Sequence, residues 1–264
     1  MPRLLLTFLI VLPLQLLAAK ADSIGTTEHQ WLYGVGYTNA LDTYLSPLEY
    51  TGPSFGLLHR TERCARWGKG RVSVQGLYGG NLSMLSSPTE HADEWDGNLT
   101  AAFGWHYNWR PVPALRLAAG AMLEGALGFT YNLRNGNNPA QGRVGVQLLA
   151  SGIAEYAFRI GRRNLSSRLQ MDFPLAGTMF SPNYGQSYYE IFSLGHYDHN
   201  ICFTHPLNAP SAHVLFTLQV PLGRRTVFSV GYDGDIRQSH VNHLKRHHWS
   251  HRFVIGYVRR ISIH

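Results

Sequence analysis

Long apolar runs are missing from most of this 264-residue chain. Beyond the N-terminus, no stretch reaches the roughly 18 apolar residues that a membrane-spanning helix needs, which excludes an α-helical membrane protein. Charged residues are also few, at 15%, whereas 27 glycines and 14 tyrosines are present. This composition is typical of a β-rich protein and not of a disordered one.

Cysteine is scarce as well, with only Cys64 and Cys202. A disulfide is possible in an exported protein, but two isolated cysteines are commonly unpaired small apolar residues, and we favour that interpretation. The net charge of +7 suits contact with anionic lipid or lipopolysaccharide, and nucleic acid is a poor partner for an exported chain. We expect no cofactor and no metal.

The N-terminus has the three parts of a secretory signal peptide. Arg3 supplies the positive charge, residues 4–17 (LLLTFLIVLPLQLL) form an apolar stretch too short to span a bilayer, and Ala19-Lys20-Ala21 matches a cleavage site. The sequence therefore predicts a signal peptide over 1–21 and a single mature domain over 22–264.

Strict alternation dominates the rest of the chain. In residues 143–160 (RVGVQLLASGIAEYAFRI), every even position is apolar or small, and the odd positions include Arg143, Gln147 and Glu155. On a helix the even positions would scatter over the whole surface, whereas on a strand they share one face. The same pattern recurs over 98–110, 115–131, 165–173, 213–220, 228–237 and 253–257.

Alternation alone does not separate a soluble sandwich from a transmembrane barrel, in which the apolar face meets lipid. The longest segments, 98–110, 115–131 and 143–160, exceed the roughly 9–11 residues that a tilted transmembrane strand needs. Their polar faces carry charges of both signs, and aromatic residues cluster at the ends of the apolar faces, for example Trp105, Tyr107 and Trp109 at one end and Phe129 and Tyr131 at the other. Such aromatic girdles favour an antiparallel outer-membrane β-barrel.

The turns predict the number of strands. Short turns fall near 67–70, 110–114, 161–164 and 222–225, and long loops near 40–52, 84–95, 132–141, 177–185 and 239–249. A strand over 186–196, a turn at 196–199 and a returning strand in NICFTH (200–205) bring the count to about twelve, with both termini periplasmic. Ten strands is the alternative.

Two C-terminal stretches carry a resemblance to a family, FSPNYGQSYYEIFSLGHYDHNI and GYDGDIRQSHVNHLKRHHWSHRFVIGYVRR. They resemble uncharacterised outer-membrane barrel proteins of Gram-negative bacteria, those classed as domains of unknown function. The resemblance implies a barrel in the outer membrane and no particular activity. Such a barrel would have outer-membrane lipid, lipopolysaccharide and the barrel-assembly machinery as partners.

Charged residues on the polar faces are predicted to line the lumen and to form either a salt-bridged plug or a selectivity lining. We favour a mostly closed interior, with a small pore as the alternative. The predicted lumen residues are Arg60, Glu62, Arg66, Glu124, Glu155, Arg159, Arg168, Asp172, Asp233, Asp235 and Arg237.

A lipid-modifying hydrolase is the alternative to a non-enzymatic barrel, because twelve strands would also resemble the outer-membrane phospholipase barrels. Candidate catalytic residues are Gln238, Ser239, His240 and His251, although Ser239 faces away from His240 unless the strand contains a bulge. The histidines from His240 to His251 are predicted to lie in an external loop, where their spacing matches no closed zinc site. Gln186, Tyr188 and Glu190 are interpreted as polar barrel positions.

Overall fold

The computed structural model describes residues 26–89, 92–136, 138–222 and 226–262. The predicted signal peptide lies outside this range. Within the described part, no helix has the length and apolar character needed to cross a membrane. The elements in chain order are β1 (Thr26–Asp42), β2 (Tyr50–Cys64), β3 (Val72–Ser86), β4 (Asp93–Val112), β5 (Leu115–Asn132), β6 (Ala140–Ile160), β7 (Arg163–Phe180), α1 (Tyr188–Phe192), β8 (Ile201–Thr204), β9 (Ala212–Pro221), β10 (Thr226–Val241) and β11 (Leu244–Ser262).

Ten of the strands form a closed antiparallel barrel. The strands β1 to β7 are neighbours in chain order, β7 pairs with β9, and β9, β10 and β11 lead back to β1. The remaining strand, β8, pairs only with Gly177–Phe180 at the end of β7. The barrel and the alternative count of ten are therefore confirmed, and twelve strands is wrong.

The two extra strands of the twelve-strand count are absent for a local reason. The segment 186–196 contains α1, which begins with a capping box in which Ser187 and Glu190 bond to each other's backbone N–H groups. A capping box fixes the first turn of a helix, so the chain leaves the extended conformation here. Gln186, Tyr188 and Glu190 are thus not barrel positions, and β8 is too short to add a wall strand.

The connections divide the barrel into a turn end and a loop end. The turn end carries the connections at 65–71, 113–114, 161–162 and around 222, together with the outer ends of β1 and β11. The loop end carries 43–49, 87–92, 133–139, 181–211 and 242–243. The predicted external loop at 239–249 is wrong. Asn242 and His243, with φ of 50° and 60°, form a two-residue hairpin turn of the kind that requires positive φ at both positions.

The outer wall is apolar, because each long strand turns alternate side chains outward. Leu99, Leu123 and Val35 are more than half exposed near its middle, at 63%, 59% and 57%. Aromatic side chains are exposed towards both ends, with Trp105, Tyr107, Trp109 and Tyr156 towards the turn end and Tyr37, Trp95, Phe129 and Tyr131 towards the loop end. This is the predicted pattern of a membrane barrel wall.

Inside the barrel, eight apolar side chains meet in one cluster, which we call the apolar belt. They come from eight of the ten wall strands, so that the cluster crosses the lumen between two polar regions. Its members are Leu32, Leu58, Leu77, Ala102, Met122, Leu149, Leu215 and Val254, all at most 7% exposed. A barrel of eight strands is just filled by its own side chains, and this barrel of ten is filled at the level of the belt.

The wall changes partners along β7. Its ladder with β9 covers only Ser166–Asp172, and its ladder with β8 begins at Gly177. Between them, β7 has an extra residue at Leu175 relative to β6, because Leu149 faces Pro174 whereas Leu148 faces Ala176. Such a β-bulge moves the following residues to the other face of the strand.

Segment 205–211 completes the wall beside β10. The backbone N–H of His240 donates to the carbonyl of Asn208 at 2.7 Å, and the N–H of Gln238 donates to the Ser211 hydroxyl at 3.1 Å. At the other end of the barrel lies Cys64, whereas Cys202 belongs to β8 at the loop end, so the two thiols form no disulfide.

Candidate functional site

The lumen between the belt and the turn end is filled by a group of ions that we call the turn-half cluster: Glu28, Arg60, Glu62, Arg116 and Arg168. Arg60 contacts Glu28 at 2.7 Å and Glu62 at 2.6 Å. The same Glu62 carboxylate accepts from Arg116 at 2.7 Å and from Arg168 at 3.3 Å. Because these residues come from β1, β2, β5 and β7, the ion pairs tie distant strands together across the lumen.

Hydrogen bonds extend this network past the belt along β7 and β9. The Gln75 amide, on β3, donates to the Gln170 carbonyl at 2.7 Å, and Gln170 donates to Asp172 at 3.1 Å. His213 bridges two carboxylates, with its Nδ1 3.3 Å from Asp172 and its Nε2 2.8 Å from Asp233. Gln75, Gln170 and His213 therefore each have hydrogen-bond partners, which offsets the cost of removing their polar groups from water.

A buried histidine and serine also join Asp172. The Ser151 hydroxyl donates to the Asp172 carboxylate, and it lies 2.8 Å from Nε2 of His106. In a catalytic triad the histidine takes the serine proton and the carboxylate orients the histidine. Here the serine lies between the other two groups and its proton is directed at the carboxylate, so the arrangement is that of a structural hydrogen-bond chain.

Between the belt and the loop end lies a second ionic group, the loop-half cluster: Asp96, Glu124, Arg143, Asp235 and Arg237. Arg237 contacts Asp235 on its own strand and Glu124 on β5, both at 2.9 Å. Arg143 contacts Asp96 at 2.8 Å. The strands β5 and β10 lie on opposite sides of the barrel, so the Arg237–Glu124 pair spans the lumen.

A cleft with a volume of about 90 Å³ opens beside the loop-half cluster. Its lining comes from β4, β5, β6, β7, β8, segment 205–211, β10 and β11. Between Arg143 and Gln147, the lumen faces of β5 and β6 have the small residues Ala126, Gly128 and Gly145 at this level, whereas the belt below has Met122 and Leu149. The change from large to small side chains therefore creates the space.

The predicted lumen residues fall into three groups. Seven are buried in the lumen: Arg60, Glu62, Glu124, Arg168, Asp172, Asp233 and Asp235. Glu155 and Arg237 are half-buried, with Glu155 3.4 Å from Arg116. Arg66 and Arg159 are exposed at the turn end, where Arg66 lies beyond the last residue of β2 and alternation no longer sets its direction.

The hydrolase candidates lie on both faces of a regular hairpin. Ser239 pairs with Arg246 and His240 with Lys245 without a bulge, so Ser239 faces the lumen and the exposed His240 faces outward. His251 is also outward, and its Nδ1 lies 2.6 Å from the Tyr232 hydroxyl. Gln238 and Ser239 border the cleft. The geometry brings no serine of this set together with a histidine.

The histidines between 240 and 251 are dispersed over the hairpin. His247 lies on the outer face, where its Nε2 bonds to Asn39 and its ring stacks on Trp249 at 4.3 Å. His248 points into the lumen, with its Nδ1 3.2 Å from Asp96. No set of three or more histidine, cysteine or acidic side chains in the described ranges is arranged to hold a metal ion.

Segment 181–211 covers part of the loop end and is held by aromatic and amide contacts. The Tyr44 hydroxyl donates to the carbonyl of Gln186 at 3.0 Å, and the Tyr44 ring meets Tyr188 edge-on at 6.0 Å. Burial, reinforced by Tyr188, raises the pKa of Tyr44 to about 12. The Asn242 amide donates to the carbonyls of Ser181 and His199 at 3.1 and 2.9 Å.

Several charged or polar residues of the lumen, inside and outside the two clusters, were not among the predicted site residues. They include Glu28, Asp96, His106, Arg116, Arg143, His213, Arg246, His248 and Arg252. Each lies in a strand on the same face as its buried polar neighbours, so alternation was the signal that would have identified them. Their partners, in contrast, depend on which strands face each other across the lumen.

The fold defined by these features is that of ten-stranded outer-membrane barrels. The structure is similar to the outer membrane protease OmpT from Escherichia coli, with a TM-score of 0.50 and 7% identity over 89% of this chain and 97% of that one. It also matches the translocator domain of the autotransporter NalP from Neisseria meningitidis, with a TM-score of 0.45 and 11% identity over 92% and 90% of the two chains.

At the level of sequence, the chain belongs to the family described as "Protein of unknown function (DUF3316)", which matches residues 4–263. No curated protein matches the chain. The resemblance to an uncharacterised barrel family is therefore confirmed. Because the identity to the solved structures is low, the similarity to them shows the fold alone.

Proposed function

We propose that this protein is an integral outer-membrane barrel with a sealed lumen, whose function lies at its loop end rather than in conducting solutes. The turn end would face the periplasm and the loop end the cell exterior, as in bacterial barrels with short periplasmic turns. The apolar outer wall and its two aromatic bands support the membrane location.

The observation that carries the proposal is the apolar belt. Its eight side chains come from β1 to β6, β9 and β11, and the Gln75–Gln170 bond occupies the side of β7. Below it the turn-half cluster narrows the lumen further with cross-strand ion pairs. An apolar constriction holds water poorly, and in channels it blocks ions.

The second support is the contrast between the two ends of the lumen. The cleft lies on the loop side of the belt, bordered by β8 and segment 205–211. A ligand in this cleft would have no route past the belt to the turn end. A barrel that holds a molecule or contacts the cell surroundings fits this geometry better than a pore does.

Planar-bilayer recording tests the sealed lumen. We expect the purified wild-type barrel to give no stable current steps. The double variant Leu58→Ala, Met122→Ala should give small, reproducible steps, because it removes two large side chains from the belt. Leu123→Ala is the matched control, since Leu123 lies beside Met122 but points to lipid. Regular steps from the wild type would contradict the proposal.

A further inference from the structure

The charges that line the loop-side cleft are all of one sign. Arg143, Arg237 and Arg246 border it, and none of its lining residues is an aspartate or a glutamate. The remaining polar lining consists of neutral groups such as Asn98, Gln147 and Ser239. This lining differs from the rest of the lumen, where acidic and basic side chains alternate closely.

Two of the three arginines are fixed by carboxylates that lie outside the cleft lining. Asp96 holds Arg143, whose guanidinium also donates to the side-chain oxygen Oδ1 of Asn98 at 2.9 Å and to the backbone carbonyl of Phe129 at 3.0 Å. Asp235 and Glu124 hold Arg237. The carboxylates therefore orient the two guanidinium groups without taking up the space between them.

The third arginine is not neutralised in this way. Arg246, which is half-buried, makes no direct hydrogen bond or ion pair with any residue in the described part of the chain. Asp42, its partner in the β1–β11 ladder, and Asp96 attract it only at longer range, so its N–H donors stay available. The Nε atom of Arg143 is buried and also has no hydrogen-bond partner. Buried donors without partners are costly, so the cleft presents unused positive donors to whatever occupies it.

The cleft volume of about 90 Å³ is well above the roughly 10–15 Å³ that one water needs on the same measure. Arginine forks match the geometry of phosphate and carboxylate oxygens and bind them through charge-assisted hydrogen bonds. We propose that the cleft binds one oxyanion of the phosphate class, held by Arg143, Arg237 and Arg246.

Phosphate groups can reach this site from two sources, as free phosphate from the loop end or as the headgroup of a lipid or lipopolysaccharide in the outer leaflet. The inference rests on the proposed function, since a sealed lumen confines the ligand to the loop side. The phosphate chemistry is the same for both sources, and the experiment below distinguishes them.

The test is isothermal titration of the folded, detergent-solubilised barrel with inorganic phosphate and, separately, with lipopolysaccharide micelles. Saturable heat with phosphate would indicate free anion as ligand, and heat with lipopolysaccharide alone would indicate a headgroup; either supports the site. Arg246→Gln should weaken binding by about ten- to a hundredfold, since one charge-assisted hydrogen-bond donor is lost. Arg246→Lys should recover part of the affinity.

Arg66→Gln is the matched control, because Arg66 is exposed at the turn end. This substitution removes the same charge far from the cleft. It should leave the titration unchanged. The inference would be overturned if a wild-type barrel, shown to be folded by its heat-modifiable migration, bound neither phosphate nor lipopolysaccharide saturably. Equal affinity of the wild type and of Arg246→Gln would also overturn it. Planar-bilayer recording of the same sample tests the sealed lumen separately, so failure of one proposal is distinguishable from failure of the other.

Discussion

The two halves of the lumen contain the same kinds of side chain in different arrangements. In the turn half, Glu62 is surrounded by three arginines and the space between strands is full. In the loop half, Arg143 and Arg237 are paired, Arg246 is not, and small residues on β5 and β6 leave a cleft. The side chains of the turn half hold the strands together, whereas the loop half contains a cleft and arginine N–H donors that no side chain occupies.

Removing the central carboxylate of the turn half should have the largest effect. Glu62→Gln leaves Arg60, Arg116 and Arg168 without their shared anion, and breaking a buried ion pair costs about 3–5 kcal/mol. We expect a lower urea midpoint and a loss of the heat-modifiable folded form. Glu155→Gln is the control, since Glu155 is half-buried and makes a single 3.4 Å contact with Arg116.

If the halves differ as described, charge removal in the loop half should be tolerated. Arg246→Gln should change the unfolding free energy by less than about 1 kcal/mol, because Arg246 makes no direct ion pair and Asp42 and Asp96 attract it only at longer range. A destabilisation as large as that of Glu62→Gln would show that the loop half is also a structural cluster.

Two adjacent positions of β6 test the difference between a residue of the outer wall and a residue of the lumen. Ala150 faces outward near the middle of the wall, whereas Ser151 is 4% exposed in the lumen. Ala150→Arg should cost about 2–4 kcal/mol at the depth of the bilayer centre. Ser151→Ala should cost about 1–3 kcal/mol for a different reason, because Asp172 loses a hydrogen-bond donor. Refolding titrations into lipid vesicles would measure both, and a neutral Ala150→Arg would argue that this face does not contact lipid.

Close packing of neighbouring strands predicts a smaller effect. A Cβ atom on Gly231 would lie 1.9 Å from the carbonyl oxygen of Phe216, whereas a Cβ on Gly125 would meet nothing within 4 Å. Gly231→Ala should therefore cost about 1–3 kcal/mol through overpacking, and Gly125→Ala should be neutral in the same urea titration. Equal midpoints for the two variants would show that the strands adjust without cost.

The smallest expected effect is on catalysis. We expect no release of acyl chains from phospholipid or lipid A by the wild type, and no change in His240→Ala, because Ser239 and His240 lie on opposite faces of β10. A true general base contributes about two to four orders of magnitude in rate. Acyl release that is abolished by His240→Ala, with heat-modifiability retained, would instead support the hydrolase alternative.

Alternation predicted most of the wall because a lipid-facing strand has only two faces. It assigned Glu62 and Asp172 to the lumen and Phe129 to the outer wall, where the structure has them. Which lumen residues form pairs was not predictable, since the Arg237–Glu124 contact depends on strand number and stagger in the closed barrel.

Prediction failed where local chemistry interrupts the strand pattern. The extra residue at Leu175 shifts the faces of β7, and no composition signal marks it. The Ser187 and Glu190 capping box was readable as a serine followed three residues later by a glutamate. In YYEIF, however, five residues are too few for helical periodicity to compete with the alternation of neighbouring segments.

The change of partner along β7 has a consequence for how the barrel opens. The first and last described strands meet in the β1–β11 ladder, which runs without a break from Thr26 to Asp42. The β7–β9 ladder ends at Asp172. Towards the loop end, the junction between β7 and β9 therefore depends on β8 and segment 205–211. Backbone amides in short ladders exchange with solvent through local openings of low free energy. The seam that separates first under denaturant should thus be the one between β7 and β9, beside the cleft, while the junction of β1 and β11 stays closed.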